Sequence, residues 1–277
     1  MEDIAPSLLE KIKKEFQKRL EKNVKISNLR SSIKNGSATY EQAQEFAVEL
    51  GNILSDVFSA EISSSMLPNG KMYYNIANRI IPPMLENNYD LAADVAKSVQ
   101  DIINSSAGIN MTAIKPSANQ DKISGIVDIV SGSEKYDDIA YMLRDPVVNF
   151  TQCAVDDTVK ANADMQYKSG LSPRIIRTSS GKCCEWCDKL DGVYDYERVR
   201  DSGNNVFRRH KNCICVVELV VDKSRQNVHS KKWAEEGDVK RRIEYSFTKG
   251  KELNKKTRQQ AEELQEKLKM QYMKSEG

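Results

Sequence analysis

The feature that most constrains this chain is a dense group of cysteines in its second half. Five of the six cysteines lie within residues 183–215, and one of the two histidines, His210, lies among them. Cys184 and Cys187 form a C-x-x-C pair, and His210 and Cys213 follow as an H-x-x-C pair. Short spacing within each pair lets one tight turn direct two ligand atoms at a single point. The fold therefore has to bring two separate turns together.

A tetrahedral zinc ion needs four nitrogen and sulfur ligands of this kind, and the sequence predicts a structural zinc site. Cys213 and Cys215 compete for one position, because residues two apart on a strand face the same side. Cys183 and Cys184 also compete for one ligand position, and the C-x-x-C spacing favours Cys184. The candidate ligands are Cys184, Cys187, His210, Cys213 and Cys215.

Two alternatives to a metal stay open: a disulfide across the two motifs, and reduced thiols that simply pack. The first residues carry Glu2, Asp3 and Glu10 and lack the apolar run of a secretory signal, so we expect a reducing compartment. In such a compartment a dense group of cysteines binds metal more often than it forms disulfides.

The segment that carries the cysteines reads as β-rich. Residues 173–178, 193–196 and 213–221 are rich in β-branched and aromatic side chains and predict three strands. A segment of about 50 residues is too small to be held by apolar burial alone. A metal or disulfide clip is therefore expected in it.

The residues before this segment read as a helical body. Leu8, Ile12, Phe16, Leu20 and Val24 recur at helical spacing. The predicted helices cover residues 1–30, the residues after a Thr39-to-Gln42 capping box, residues 71–80 up to a stop or kink at Pro82-Pro83, and residues 89–104.

A loop or hinge is predicted over residues 105–122, and a short apolar run follows at residues 123–130. The clearest helix comes next. Asp145 is its predicted N-cap, Pro146 its first residue, and Ser169-Gly170 its end.

The sequence thus predicts an α+β chain of three parts. These are a helical body at 1–135, a long helix with the Cys/His β module at 136–222, and a polar, partly helical extension at 223–277. With 42 Lys and Arg against 40 Asp and Glu, the net charge is only +2, which argues against a polycation that coats nucleic acid. No apolar run is long enough to predict a membrane span.

The order of motifs in residues 172–215 resembles a known family. Ser172-Pro-Arg-Ile-Ile-Arg-Thr, the C-x-x-C pair, Leu190-Asp-Gly and Arg209-His-Lys-Asn-Cys-Ile-Cys are similar to the C-terminal signature of tailed-phage minor head proteins. This is the head-morphogenesis family typified by the phage Mu F protein. Residues 140–221 carry the resemblance. Lys211 and Ile214 depart from it, where the family often has proline and a polar residue.

The resemblance implies a structural protein rather than an enzyme. It implies a virion protein, made in the bacterial cytoplasm and built into the phage head near the portal. Its partners would be the portal or the major capsid protein, with packaged DNA as a further one. Neither a membrane nor a small-molecule substrate is implied.

The sequence leaves two alternative functions. The first is a zinc-stabilised nucleic-acid-binding module. It is supported by the basic run from Arg208 to Lys211 and by the 15 basic against 10 acidic residues over 222–277. The second is an ADP-ribosyltransferase-like enzyme, which is supported by the Arg177-Thr-Ser-Ser180 motif alone. It lacks a Glu-x-Glu at a suitable place.

Overall fold

The computed structural model describes residues 3–179, 183–201, 205–210 and 213–222, and it confirms the α+β class. The predicted C-terminal extension and its helix lie outside these residues. Long helices precede a small antiparallel sheet. The longer helices are α1 (Ala5–Lys22), α2 (Val24–Lys34), α3 (Tyr40–Glu61), α4 (Tyr74–Ser106), α5 (Gln120–Gly132) and α7 (Asp145–Lys168). The single-turn helices are α6 (Tyr136–Ile139), α8 (Glu185–Asp188) and α9 (Tyr196–Val199).

The N-terminal segment is two helices, so the prediction of one helix over residues 1–30 was wrong. Asn23 separates α1 from α2, and its side-chain oxygen accepts the Ile26 N–H at 3.2 Å as the N-cap of α2. The change of direction removes Val24 from the apolar stripe, and this side chain is 71% exposed. The other four stripe residues, Leu8, Ile12, Phe16 and Leu20, are buried as predicted.

Helix α3 begins as predicted, with a reciprocal capping box. The Thr39 hydroxyl accepts the Gln42 N–H at 3.3 Å, and the Gln42 side chain accepts the Thr39 N–H at 3.2 Å. These bonds satisfy two of the amide groups that a helix start leaves without partners.

Helix α4 runs without interruption through Pro82 and Pro83, which corrects the predicted stop. Each proline removes a backbone hydrogen bond at a cost of about 3 kcal/mol. Apolar side chains nevertheless flank the prolines on both sides, and Ile80, Ile81 and Met84 are buried in the core. Burial of such side chains is worth about 1.5–3 kcal/mol each, which offsets the lost bonds.

The predicted loop after α4 is irregular, but polar side chains of two helices hold it. Asn104 of α4 donates to the Met111 carbonyl at 2.9 Å, and Asn162 of α7 bonds both the N–H and the carbonyl of Ile114. The predicted apolar run after it is helical and forms α5.

Helix α7 packs against α3 and α4, and it also contacts the sheet. Asp145 is its first residue rather than its N-cap, because Arg144 takes the cap position without a side-chain bond. The helix ends at Ser169 and Gly170 as predicted, with the glycine at φ 83°.

The sheet has the strand order β2 (Gly192–Asp195), β1 (Ser172–Thr178), β3 (Val216–Asp222), all antiparallel. The first two strands match the predictions to within a residue. The third begins at Val216, so Cys213 and Cys215 precede it. One apolar core joins helices and sheet and includes Ile175, Val217 and Leu219.

Among the helices of the described residues, none is both long and apolar enough to cross a membrane.

Candidate metal centre

The register of the sheet places both cysteine motifs at one end of it. Thr178, the last residue of β1, lies opposite Val216, the first residue of β3. The C-x-x-C motif follows β1 and the C-x-C pair, Cys213 and Cys215, comes just before β3. Two motifs about 25 residues apart in sequence therefore meet in space.

Each motif forms a tight turn of its own. Cys184 directly precedes α8, and the Asp188 N–H donates to the Cys184 carbonyl at 3.0 Å. In the second motif the Cys213 N–H donates to the His210 carbonyl at 3.2 Å. Residues three apart in such turns point their side chains to the same side, which is why the x-x spacing supplies ligand pairs.

The ligand atoms of both motifs cluster around Cys187. Its Sγ lies 2.9 Å from His210 Nε2 and 3.7 Å from Cys213 Sγ, and Cys184 Sγ lies 3.2 Å from the same imidazole nitrogen. Two groups result, Cys184–Cys187–His210 and Cys187–Cys213–Cys215, each with ligand atoms within 4.8 Å of one another. Each group of three is close enough to hold a metal ion, and the two groups share Cys187.

The structure separates Cys184 from its neighbour. Cys184 belongs to the ligand group, whereas Cys183 packs against the side of the cluster. Cys153 lies on α7, and Lys122 Nζ lies 3.9 Å from its Sγ.

All six cysteines are free thiols. The 3.7 Å between Cys187 Sγ and Cys213 Sγ is well beyond a disulfide bond of about 2.05 Å. It is close to the roughly 3.8 Å that separates two sulfurs bound at about 2.3 Å to one tetrahedral zinc ion. The spacing therefore suits a shared metal better than a covalent pair.

The environment divides the thiols into two kinds. The Cys187 N–H lowers the pKa of the exposed Cys184 thiol. Burial alone would raise the pKa of Cys213, but the Cys215 N–H and the Arg209 guanidinium hold it below its ordinary value. Burial, together with the Cys213 and Cys215 sulfurs, raises the pKa of Cys187. Burial also raises the pKa of Cys215, although its hydrogen bond with Cys187 opposes this. A metal ion would favour the thiolate at each sulfur that it binds.

Two arginines that the sequence did not single out as part of the site surround it. The guanidinium of Arg177, on β1, is fully buried and lies 3.7 Å from Cys213 Sγ. Arg209 forms a buried ion pair with Asp156 of α7 and donates to the Cys215 carbonyl at 2.9 Å. Gln152, also on α7, donates to the Cys213 carbonyl at 2.7 Å. The site is therefore fixed to the long helix.

These contacts change how two sequence features are interpreted. Arg209 is committed to Asp156, so the basic run from Arg208 to Lys211 does not present it to phosphate, and Lys211 lies outside the described residues. Arg177 faces the thiols, and Ser180 of the Arg177-Thr-Ser-Ser180 motif also lies outside them. Trp186 borders the cluster, edge-on to His210 at 5.6 Å between ring centres.

Comparisons with protein-family models, with curated proteins and with solved structures find no match to this chain.

Proposed function

We propose that this chain is a structural protein whose β module is held together by one zinc ion, and that it serves in the head of a tailed phage. The observation that carries the proposal is the meeting of the C-x-x-C turn and the H-x-x-C turn around Cys187. The ligands would be Cys184, Cys187, His210 and one of Cys213 and Cys215.

Zinc is the metal that best suits this set of ligand atoms. Thiolates with one imidazole are soft and intermediate ligands, and they favour zinc over the oxygen-seeking magnesium and calcium ions. Four protein ligands would fill a tetrahedral ion and leave no position for a reacting water. The ion would therefore have a structural role.

The ion would supply stability that the module's own burial does not. The sheet has three strands of seven, four and seven residues, and a segment this small has little core. Structural zinc contributes about 10–16 kcal/mol of apparent binding free energy in small peptides at neutral pH. An ion bound this strongly would keep β1 and β3 paired at the end of the sheet where the two cysteine motifs lie.

The phage-head role rests on the resemblance of residues 172–215 to minor head proteins. It gains support because the residues that carry the resemblance are the ones that form the cluster. On this proposal the chain is a non-enzymatic virion component, made in the bacterial cytoplasm, that binds portal or major capsid protein during assembly.

Metal analysis of the purified protein tests the zinc site. We expect one zinc per chain, lost in the Cys187→Ser variant and retained in the matched Cys153→Ser variant, whose thiol lies outside the cluster. Protein kept from oxidants that contains well below one equivalent of zinc would contradict the site.

Co-assembly tests the structural role separately. When the chain is co-expressed with the portal protein of the phage that encodes it, we expect it to copurify with portal or with proheads. Absence from both would contradict this role. Binding to DNA that weakens steeply with salt would favour the nucleic-acid alternative instead.

A further inference from the structure

Arg177 is the most completely buried cation of the described residues, with no part of it exposed. It lies on β1, and its Nη1 donates to the carbonyls of Val206, at 2.5 Å, and Arg208, at 2.9 Å. These bonds hold the backbone just before His210. They are bonds to neutral acceptors, so they do not balance the positive charge.

The other side of the guanidinium faces sulfur. Its Nη2 lies 3.9 Å from Cys187 Sγ and 3.7 Å from Cys213 Sγ, and the Trp186 ring covers it at 5.5 Å. Within the described part of the chain no carboxylate pairs with Arg177, and its Nε has no hydrogen-bond partner. A buried charge without a counter-charge is strongly unfavourable, and arginine cannot shed its proton to avoid this cost.

The second buried arginine is already neutralised. Arg209 forms a bidentate pair with Asp156, and both side chains are 2% exposed or less. Arg209 Nη1 also lies 3.9 Å from Cys213 Sγ, but among the described residues Arg177 is the buried arginine beside the cysteines that has no carboxylate partner.

The charge of the centre depends on how many thiolates it contains. A divalent ion with three thiolates and a neutral imidazole has a net charge of about minus one. Four thiolates would give about minus two, and two thiolates with two imidazoles would give zero. Only the first set matches the single charge of Arg177.

We propose that Arg177 is the counter-charge of the metal centre and is matched to a set of three thiolates and one imidazole: Cys184, Cys187, Cys213 and His210. Cys213 is chosen over Cys215 because its sulfur is the one within 3.7 Å of the guanidinium. This inference rests on the proposed zinc site. Arg177 is a positioning residue that contacts ligands and not the ion.

A double-mutant cycle separates charge matching from the bonds to Val206 and Arg208. Cys184→His replaces a thiolate by a neutral zinc ligand at the exposed corner of the cluster and makes the centre neutral. Arg177→Gln removes the positive charge. Zinc affinity is measured on the full chain by competition with a chromophoric chelator, and the cobalt(II) charge-transfer band counts the thiolates.

In the wild-type background, which retains Arg177, we expect Cys184→His to lower zinc affinity about tenfold to a hundredfold. In the Arg177→Gln background we expect this loss of affinity to be at least tenfold smaller. Arg174→Gln is the matched control, because Arg174 lies on the opposite face of β1 beside Asp195. It should leave the cost of Cys184→His unchanged.

Additive effects of Arg177→Gln and Cys184→His would overturn the charge-matching role. If Arg177→Gln does not fold, Arg177→Lys serves instead, since it keeps the charge and loses the planar fork. In that background the cost of Cys184→His should stay at the wild-type level, and a fall would overturn the proposal. A wild-type chain that binds no zinc would overturn the proposed site itself.

Discussion

Asp156 and Arg209 form an ion pair that water does not reach, with side chains 2% and 1% exposed. Asp156→Asn would leave the Arg209 charge buried without its partner. We expect a loss of about 3–5 kcal/mol in the free energy of unfolding, which is typical when one partner of a buried pair is removed. Urea unfolding followed by circular dichroism measures it.

Asp164→Asn, on the same helix, is the control for this prediction. Asp164 pairs with Lys168 at 2.5 Å, but the Lys168 side chain is 73% exposed. Exposed pairs contribute at most about 1 kcal/mol. Equal losses for the two variants would contradict a special role for the buried pair.

Buried tyrosines predict a loss of stability in alkali. Burial raises the pKa of Tyr136 to about 12, above the value near 10 of an unfolded tyrosine. The folded state thus keeps the proton that the unfolded state releases. Stability is therefore full below pH 10 and falls as the pH rises toward 12.

Urea unfolding at a series of alkaline pH values measures this slope, which Tyr136→Phe should reduce. Tyr136 is 3% exposed. Its matched control, Tyr141→Phe, changes a side chain that is 57% exposed and should leave the slope unchanged. An identical slope in wild type and Tyr136→Phe would contradict the prediction.

The two kinds of site residue differ in how far the sequence could reveal them. The C-x-x-C spacing identifies Cys184 and Cys187 as a ligand pair, because one turn brings both together. Arg177 and Asp156 carry no such signal, since their partners lie 36 and 53 residues away. A charged residue in a strand or helix is usually solvated, and only the packing of β1 and α7 shows that these two are not.

At the scale of elements, α3 and α7 lie in close contact at Gly51. A Cβ built there would lie 2.7 Å from the Val148 Cα, which is backbone and cannot rotate away. Gly51→Ala should therefore destabilise the protein by about 1–3 kcal/mol through overpacking. Thermal unfolding measures the change.

Gly125→Ala, inside α5, is expected to act in the opposite direction. A Cβ at Gly125 meets nothing within 4 Å, and alanine in a helix interior is favoured over glycine by about 0.5–1 kcal/mol. If both variants destabilised the protein, the close approach of α3 and α7 would not explain the loss at Gly51.

Local signals predicted the ends of elements better than their continuity. The capping box at Thr39 and the stop at Gly170 depend on neighbours within four residues, and both were confirmed. At Asn23 a helix boundary was missed, whereas at Pro82-Pro83, where a stop or kink was predicted, the stop does not occur. The first ends a helix because its side chain caps the next one, and the second is tolerated because core packing on both sides outweighs the lost backbone bonds.

At the scale of the whole molecule, the β module is attached to a helical core that includes many more buried side chains than the sheet contributes. The attachment runs through Ile175, Val217 and Leu219 and through the bonds from Gln152 and Arg209 to the cysteine turns. Helices α3 and α4 make most of their contacts with other helices, above all with α7. They should therefore hold together when the module is loosened.

Removal of zinc should accordingly open the module and leave the helical body folded. With a chelator we expect faster hydrogen exchange in β1 and β3, most of all near Thr178 and Val216, where the clip closes the sheet. Amides of α3 and α4 should keep their protection, because local opening costs less than global unfolding. The Cys187→Ser variant should exchange fast in these strands with or without chelator, whereas Cys153→Ser should respond as the wild type does. Strands that exchange at the same rate in both conditions would show that burial alone, and no metal, holds this sheet.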